Sequence, residues 1–270
     1  MARSSIVGFR DVDASHDPAD LIRYLQAVSE APFVRNRAQA RLARSRIAPG
    51  HVVADLGCGL GGDTIMLAHH VGPGGRAIGI DRSRAMLDHA RARVDAAGLP
   101  LEFRQGDILS LPFDAASLDA CWMERVLIYA DDPAAVLAEV RRVLRPGGQA
   151  VVQEYDYRVL LYDAPDAELS EFMRAGVCAA FAQPEIGASL LRHAHKAGFA
   201  TLELATDLPR WPDFEWSAAA GRWRELLARL VDEGTVTEAR AEAWWRHMQT
   251  SFNEGHGACF FASFTLFAVR

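Results

Sequence analysis

Val53-Ala54-Asp55-Leu56-Gly57-Cys58-Gly59-Leu60-Gly61-Gly62 is the stretch from which the rest of the chain can be read. A short apolar run carrying one carboxylate ends in a glycine-rich turn, and helix-type spacing follows in DTIMLAHHVG, so the segment reads as strand, turn and helix. Glycine is required where backbone turns tightly and comes close to a ligand, because a Cβ has no room there. Gly57, Gly59 and Gly62 also satisfy G-x-G-x-x-G, a spacing shared with dinucleotide-binding proteins. The glycines alone therefore do not select a ligand.

Outward from this stretch the alternation continues. RAIGID, LEFRQGD, SLDACWME and QAVVQEYD read as further strands, separated by the helical patterns SRAMLDHARARVDAAG and DPAAVLAEVRRVLRPGG. Strands alternating with helices form a parallel sheet covered on both faces. After residue 156, PDAELSEFMRAGVCAAFA and GASLLRHAHKAGF read as helices, FATLELATD as a strand and residues 214 to 250 as helical. CFFASFTLFAV closes the pattern as a strand suited to antiparallel pairing. Upstream, Leu21, Leu25 and Val28 have helical spacing, followed by the basic run Arg35, Arg37, Arg41, Arg44 and Arg46. The expected organisation is an N-terminal helical segment over 1–48, a ligand-binding core over 49–156, and a completion of the sheet over 157–270. The last part carries helical cap insertions at about 157–184 and 212–252.

Composition narrows the function. A chain of 270 residues, half of them apolar, has material for a large core. Its net charge of −6 disfavours a phosphate-neutralising surface, so no nucleic-acid partner is expected. Cys58, Cys121, Cys178 and Cys259 are scattered, without zinc-binding or disulfide-framework spacing, so no metal and a cytoplasmic setting are expected. No stretch approaches the ~20 apolar residues that span a bilayer, and the N-terminus lacks a signal-peptide core, so no membrane is expected either.

Three carboxylates at strand ends carry the ligand argument. Asp55, two residues before the first glycine, sits poorly beside a pyrophosphate and well beside a cationic ligand, such as S-adenosylmethionine with its ammonium and sulfonium. Asp81 ends the second strand, where an acidic side chain accepts ribose hydroxyls in either cofactor class; alternatively it caps the helix beginning near Ser83. Asp107, in Gly106-Asp107-Ile108, ends the third strand, where it can accept from an adenine amino group.

Residues 50–156 resemble the class I S-adenosylmethionine-dependent methyltransferases, of the subgroup containing the ubiquinone and menaquinone biosynthesis enzymes. The resemblance runs through VVADLGCGLGGDT, IGIDRSRAMLDHAR, FRQGDILSLPFDAASLDA and EVRRVLRPGGQAVV. It implies an α/β, Rossmann-like, seven-stranded, mostly parallel sheet with an antiparallel C-terminal strand, and S-adenosylmethionine as cofactor. It further implies that Asp55, Gly57 and Gly59 border the methionine portion, that Asp81 binds the ribose, and that Gly106, Asp107 and Ile108 meet the adenine, with Arg82 and Met86 lining the adenosine pocket. Glu124 and Arg125 after the fourth strand, and Tyr24 and Arg37 from the N-terminal helices, complete the expected cofactor set. The N/D-P-P-Y/F sequence of similar enzymes acting on adenine, cytosine or glutamine nitrogen is missing after the fourth strand.

Such an enzyme is expected to methylate a small molecule by in-line displacement, as a monomer or homodimer, without a covalent intermediate. Candidate bases are Glu124, Glu154 and Tyr129, with Asp156, His193, His195 and His256 behind them; Glu124 and Glu154 lie at strand carboxyl ends, where ligands collect. Trp211, Phe214, Trp216, Trp223, Trp244, Trp245, Phe252, Phe260 and Phe261 suggest an apolar or aromatic acceptor, or else the packing of cap on sheet. Two other readings stay open: a non-methylating reaction such as a cyclisation on the same scaffold, and a noncatalytic cofactor-binding subunit.

Overall fold

The computed structural model describes residues 12–14, 17–94 and 98–270. Its centre is a seven-stranded sheet of β1 (Val52–Leu56), β2 (Arg76–Asp81), β3 (Leu101–Gln105), β4 (Leu118–Glu124), β5 (Leu144–Tyr162), β6 (Thr201–Asp207) and β7 (Cys259–Val269), in the order β3-β2-β1-β4-β5-β7-β6. β7 runs antiparallel to both neighbours and the other pairings are parallel, as the sequence leads one to expect.

The period of two along β1 explains how the sheet is covered. Ala54 and Leu56 face a core closed by α5 (Pro133–Val143) and α7 (Ile186–Lys196), while Val53 faces the opposite core beneath α2 (Pro32–Arg44) and α3 (Gly62–Val71). α1 (Pro18–Ser29) precedes α2, and α4 (Arg84–Arg93) follows β2. Local chemistry starts these helices where they start: Asp132 accepts the Ala135 N–H at 3.0 Å with Pro133 at the first turn, and the Ser83 hydroxyl accepts the Met86 N–H at 3.2 Å. The chain leaves β1 toward β2 and β3, then returns to β4 on the other side. This reversal opens a crevice above the carboxyl ends of β1 and β4.

The second half departs from the expected boundaries. The cap does not begin at 157, because β5 continues to Tyr162 and pairs Leu160 with Phe261 and Tyr162 with Cys259 beyond a bulge after Asp156. Tyr155, Tyr157, Val159 and Tyr162 are strand-favouring residues, and β7 is long enough to pair Tyr155 with Ser263 before the bulge and Tyr162 with Cys259 after it. The helices resume at α6 (Ala167–Cys178) and later at α8 (Phe214–Ala220), α9 (Trp223–Asp232) and α10 (Glu238–Asn253). These four surround a core of their own, in which Trp211, Phe214, Trp223, Trp244, Trp245, Phe252 and Phe261 are all buried. Among the described residues, no helix is long and apolar enough to cross a membrane.

Candidate active site

A cavity of about 950 Å³ lies over the crevice, roofed by α1 and α2. At its centre the turn after β1 runs with positive φ at Gly57 (72°) and Gly59 (51°). A Cβ on Gly57 would stand 2.6 Å from Val126 Cγ2, so glycine there lets the loops after β1 and β4 touch. A Cβ on Gly59 would meet nothing nearer than Leu25 Cδ1 at 4.0 Å, so the backbone is bare toward the cavity.

Asp81 flanks this turn. Its carboxylate accepts the Gly59 N–H at 2.8 Å and the Ser83 N–H at 2.9 Å, which fixes both oxygens at the rim. Burial raises its pKa and those N–H groups oppose the rise. Arg82, Met86, Gly106, Asp107 and Ile108 line the same end, where Gln105 Nε2 ties the loops together by donating to the Arg82 carbonyl at 2.9 Å.

The floor gathers more carboxyl groups than it has cations to pair them. Asp55 is 3% exposed and accepts the Thr64 hydroxyl at 2.6 Å; burial holds its pKa well above the usual carboxylate range, with neighbouring carboxylates adding to the rise. Asp63, in the first turn of α3, accepts the Trp122 indole N–H at 2.8 Å. Burial first and the charge of Glu124 second raise it to about 7, against the pull of Arg41. Glu124 itself is ion-paired with the buried Arg41. Desolvated carboxylates of this kind are the complement of a cationic ligand, which restores the stabilisation that burial removes.

Comparison with known proteins agrees with this geometry. Residues 53–148 match the methyltransferase domain family. Methyltransferase GfsG of Streptomyces halstedii is 30% identical over 200 residues, 73% of this chain and 70% of that protein. The class is settled by that match. The chain belongs to the class I S-adenosylmethionine-dependent methyltransferases. Demethylmenaquinone methyltransferase of Lactococcus lactis is 39% identical over 112 residues, 41% of this chain and 44% of that enzyme. In structure, phosphoethanolamine N-methyltransferase 2 of Haemonchus contortus superposes with a TM-score of 0.61 at 18% identity, covering 97% of this chain and 60% of that one. The chain thus spans less than two thirds of the latter two proteins.

The cofactor of this methyltransferase is S-adenosylmethionine, and the cavity has the chemistry to receive it: a bare glycine turn, a rim carboxylate and a floor poor in cations. Of the residues expected at the site, Tyr24, Asp55, Gly57, Gly59, Glu124, Arg125 and Tyr129 line the cavity together with the β2–β3 group already described. Two expected residues lie elsewhere. Arg37 is spent on an ion pair with Asp207 at 2.9 Å and donates to the Ser263 hydroxyl at 3.0 Å, outside the cavity. Glu154 is wholly buried beneath the loop after β4, where it accepts the N–H groups of Val126 at 2.8 Å and Leu127 at 2.6 Å. Its role as a base is corrected accordingly.

The cap aromatics follow the packing alternative, since none of Trp211, Trp216, Trp223, Trp244 or Trp245 lines the methyltransferase cavity. His193, His195, His256 and Asp156 are also outside it. The aromatic wall comes instead from Tyr24, Tyr129, Tyr157 and Phe181, with the rings of Tyr157 and Phe181 parallel at 4.7 Å. Sequence reasoning missed Tyr157, Phe181, Asp63 and Arg41. For Asp63 a signal existed, as an acidic residue in the first turn behind the glycines.

Proposed function

We propose that this methyltransferase transfers a methyl group to a small, planar, apolar or aromatic acceptor bound at the β4–β5 end of the cavity. One observation carries the reading: a single cavity joins the carboxylate-lined glycine turn to a wall of Tyr24, Tyr129, Tyr157 and Phe181. When bound, S-adenosylmethionine supplies an electrophilic methyl that a nucleophile displaces along the sulfur–carbon axis. The chain supplies position and a dry setting. In this reading Asp81 accepts the ribose hydroxyls, Asp107 and Ile108 meet the adenine, and Asp55 with Gly57 and Gly59 borders the methionine portion. Residues 49–156 form the cofactor half, and 157–270 complete the sheet and close the acceptor end.

The chain's residues do not favour base catalysis. Glu124 is held by Arg41, and burial pushes the Tyr129 phenol above its usual range, so it stays protonated at neutral pH. A net charge of −6 supports a small molecule over a nucleic acid, and four scattered free cysteines support a reducing, cytoplasmic setting.

Calorimetric titration with S-adenosylmethionine, S-adenosylhomocysteine and NAD, followed by methyl-labelled cofactor with a panel of small aromatic acceptors, tests this reading. Label in the acceptor with equal S-adenosylhomocysteine supports it. Acceptor conversion without S-adenosylhomocysteine replaces it with a cyclisation-type reaction, and binding of NAD alone removes it.

A further inference from the structure

The β4–β5 end of the cavity contains a cation with an unused hydrogen-bond donor. Arg125 lines the cavity and donates to the neutral Ser29 hydroxyl at 3.0 Å, while its buried Nε–H has no hydrogen-bond partner. Glu124 Oε1 pairs with this Nε at 3.6 Å, an ion pair beyond hydrogen-bond reach, and the same carboxylate is shared with Arg41. The phenols of Tyr24, Tyr155 and Tyr157 surround the guanidinium, and burial raises all three pKa values, so none supplies an anion.

The backbone is shaped around this side chain. Arg125 adopts φ 56°, a left-handed conformation that non-glycine residues rarely use and that concentrates at ligand clamps. Its N–H donates to the Gln153 carbonyl at 2.9 Å, and Glu154 holds the next two N–H groups from below. Beside it the rings of Tyr157 and Phe181 stack on one another and both line the cavity, with Tyr129 against Phe181 at 5.6 Å.

We propose that Arg125 determines acceptor specificity by binding a planar acceptor as its anion, with the ionised oxygen on the guanidinium and the ring against Tyr157 and Phe181. The proposal rests on the methyl-transfer reading above and moves Arg125 from the expected cofactor set to the acceptor. A charge-assisted hydrogen bond in a desolvated pocket is stronger than a neutral one, and it favours the ionised acceptor. The acceptor's proton leaves to water before binding. A free lone pair of the oxygen, or a ring carbon conjugated to it, forms the new bond to the methyl, and the electron pair of the broken sulfur–carbon bond stays on sulfur; on the ring-carbon route the displaced ring hydrogen then leaves to water as aromaticity returns. No base in the chain is then required.

The test uses protein saturated with S-adenosylhomocysteine and the probe 4-nitrophenol, whose ionised form absorbs visible light. Titrating the bound probe with pH should show ionisation at lower pH than in water. Arg125→Met should abolish that shift and weaken phenolate binding about tenfold or more, and Arg125→Lys should restore part of both. S-adenosylhomocysteine affinity should stay equal in all three proteins, which also reports that they are folded. A probe that fails to bind the wild type, or that ionises there at the same or higher pH than in water, overturns the proposal. So does loss of S-adenosylhomocysteine affinity in Arg125→Met, which would assign the guanidinium to the cofactor's carboxylate. Failure of the wild type to bind S-adenosylhomocysteine at all would instead count against the methyl-transfer reading.

Discussion

The carboxylate of Glu154 accepts the Leu127 N–H at 2.6 Å, gripping the loop after β4 from inside the protein. Burial raises its pKa to about 8, so the acid is largely neutral at pH 7. A carboxyl whose folded pKa exceeds its unfolded value gives stability that is full below the unfolded value and lost as pH rises through the folded one. Relative to Glu154→Gln, the wild type should therefore lose stability between about pH 4.5 and about pH 8. Urea unfolding of both proteins across that range checks it, and parallel stability curves would refute it. Glu154→Ala, which leaves the Val126 and Leu127 N–H groups unpaired, should be less stable than either by roughly 1–3 kcal/mol.

Asp63 couples cofactor binding to pH. With its pKa raised to about 7, it is mostly protonated below that pH in the free protein. A cationic ligand favours the ionised form, so affinity for S-adenosylmethionine should rise roughly three- to tenfold as pH climbs through 7, with proton release on binding. Calorimetry in buffers of different ionisation enthalpy measures the proton directly. Asp63→Asn should flatten the profile, and a wild-type profile already flat would exclude the coupling.

Asp81→Asn should weaken S-adenosylmethionine binding by about 1.5–3 kcal/mol, roughly ten- to hundredfold, because one charged acceptor for the ribose hydroxyls becomes a donor. One oxygen remains for the Gly59 or Ser83 N–H, so the circular dichroism spectrum should be unchanged. Undiminished affinity would remove Asp81 from the site.

Trp223 is wholly buried in the cap core and does not line the cavity. Trp223→Ala should reduce unfolding free energy by about 3–5 kcal/mol, while cofactor affinity of the remaining folded protein stays within about twofold. A large affinity loss without a stability loss would instead make this ring part of the site.

The cofactor side of the cavity was legible because its signals are local. Gly57, Asp81 and Asp107 lie at or within two residues of a strand's carboxyl end, and strand ends in such a sheet converge. The acceptor side depends on how distant elements meet. Tyr157 lines the cavity from the bulge that interrupts the β5–β7 pairing, and Phe181 from the segment between α6 and α7, which stacks on it. Among the arginines of α2, helical phase alone does not select Arg41 over Arg37, which are one turn apart on one face. The tertiary position of Glu124 selects Arg41, while Arg37 reaches past it to Asp207.

β7 lies between β5 and β6, and β6 has no other neighbour in the sheet. On the ribosome, β6 therefore emerges as an unpaired edge strand and waits for α8, α9 and α10 to be made before its partner arrives. The cofactor half can close on itself during that interval, since β1 to β5 pair without β7. Synthesis thus passes through a stage in which β1 to β5 can pair while β6 still lacks β7. On the acceptor reading proposed above, prompt completion of the sheet would then bear on fidelity as well as stability.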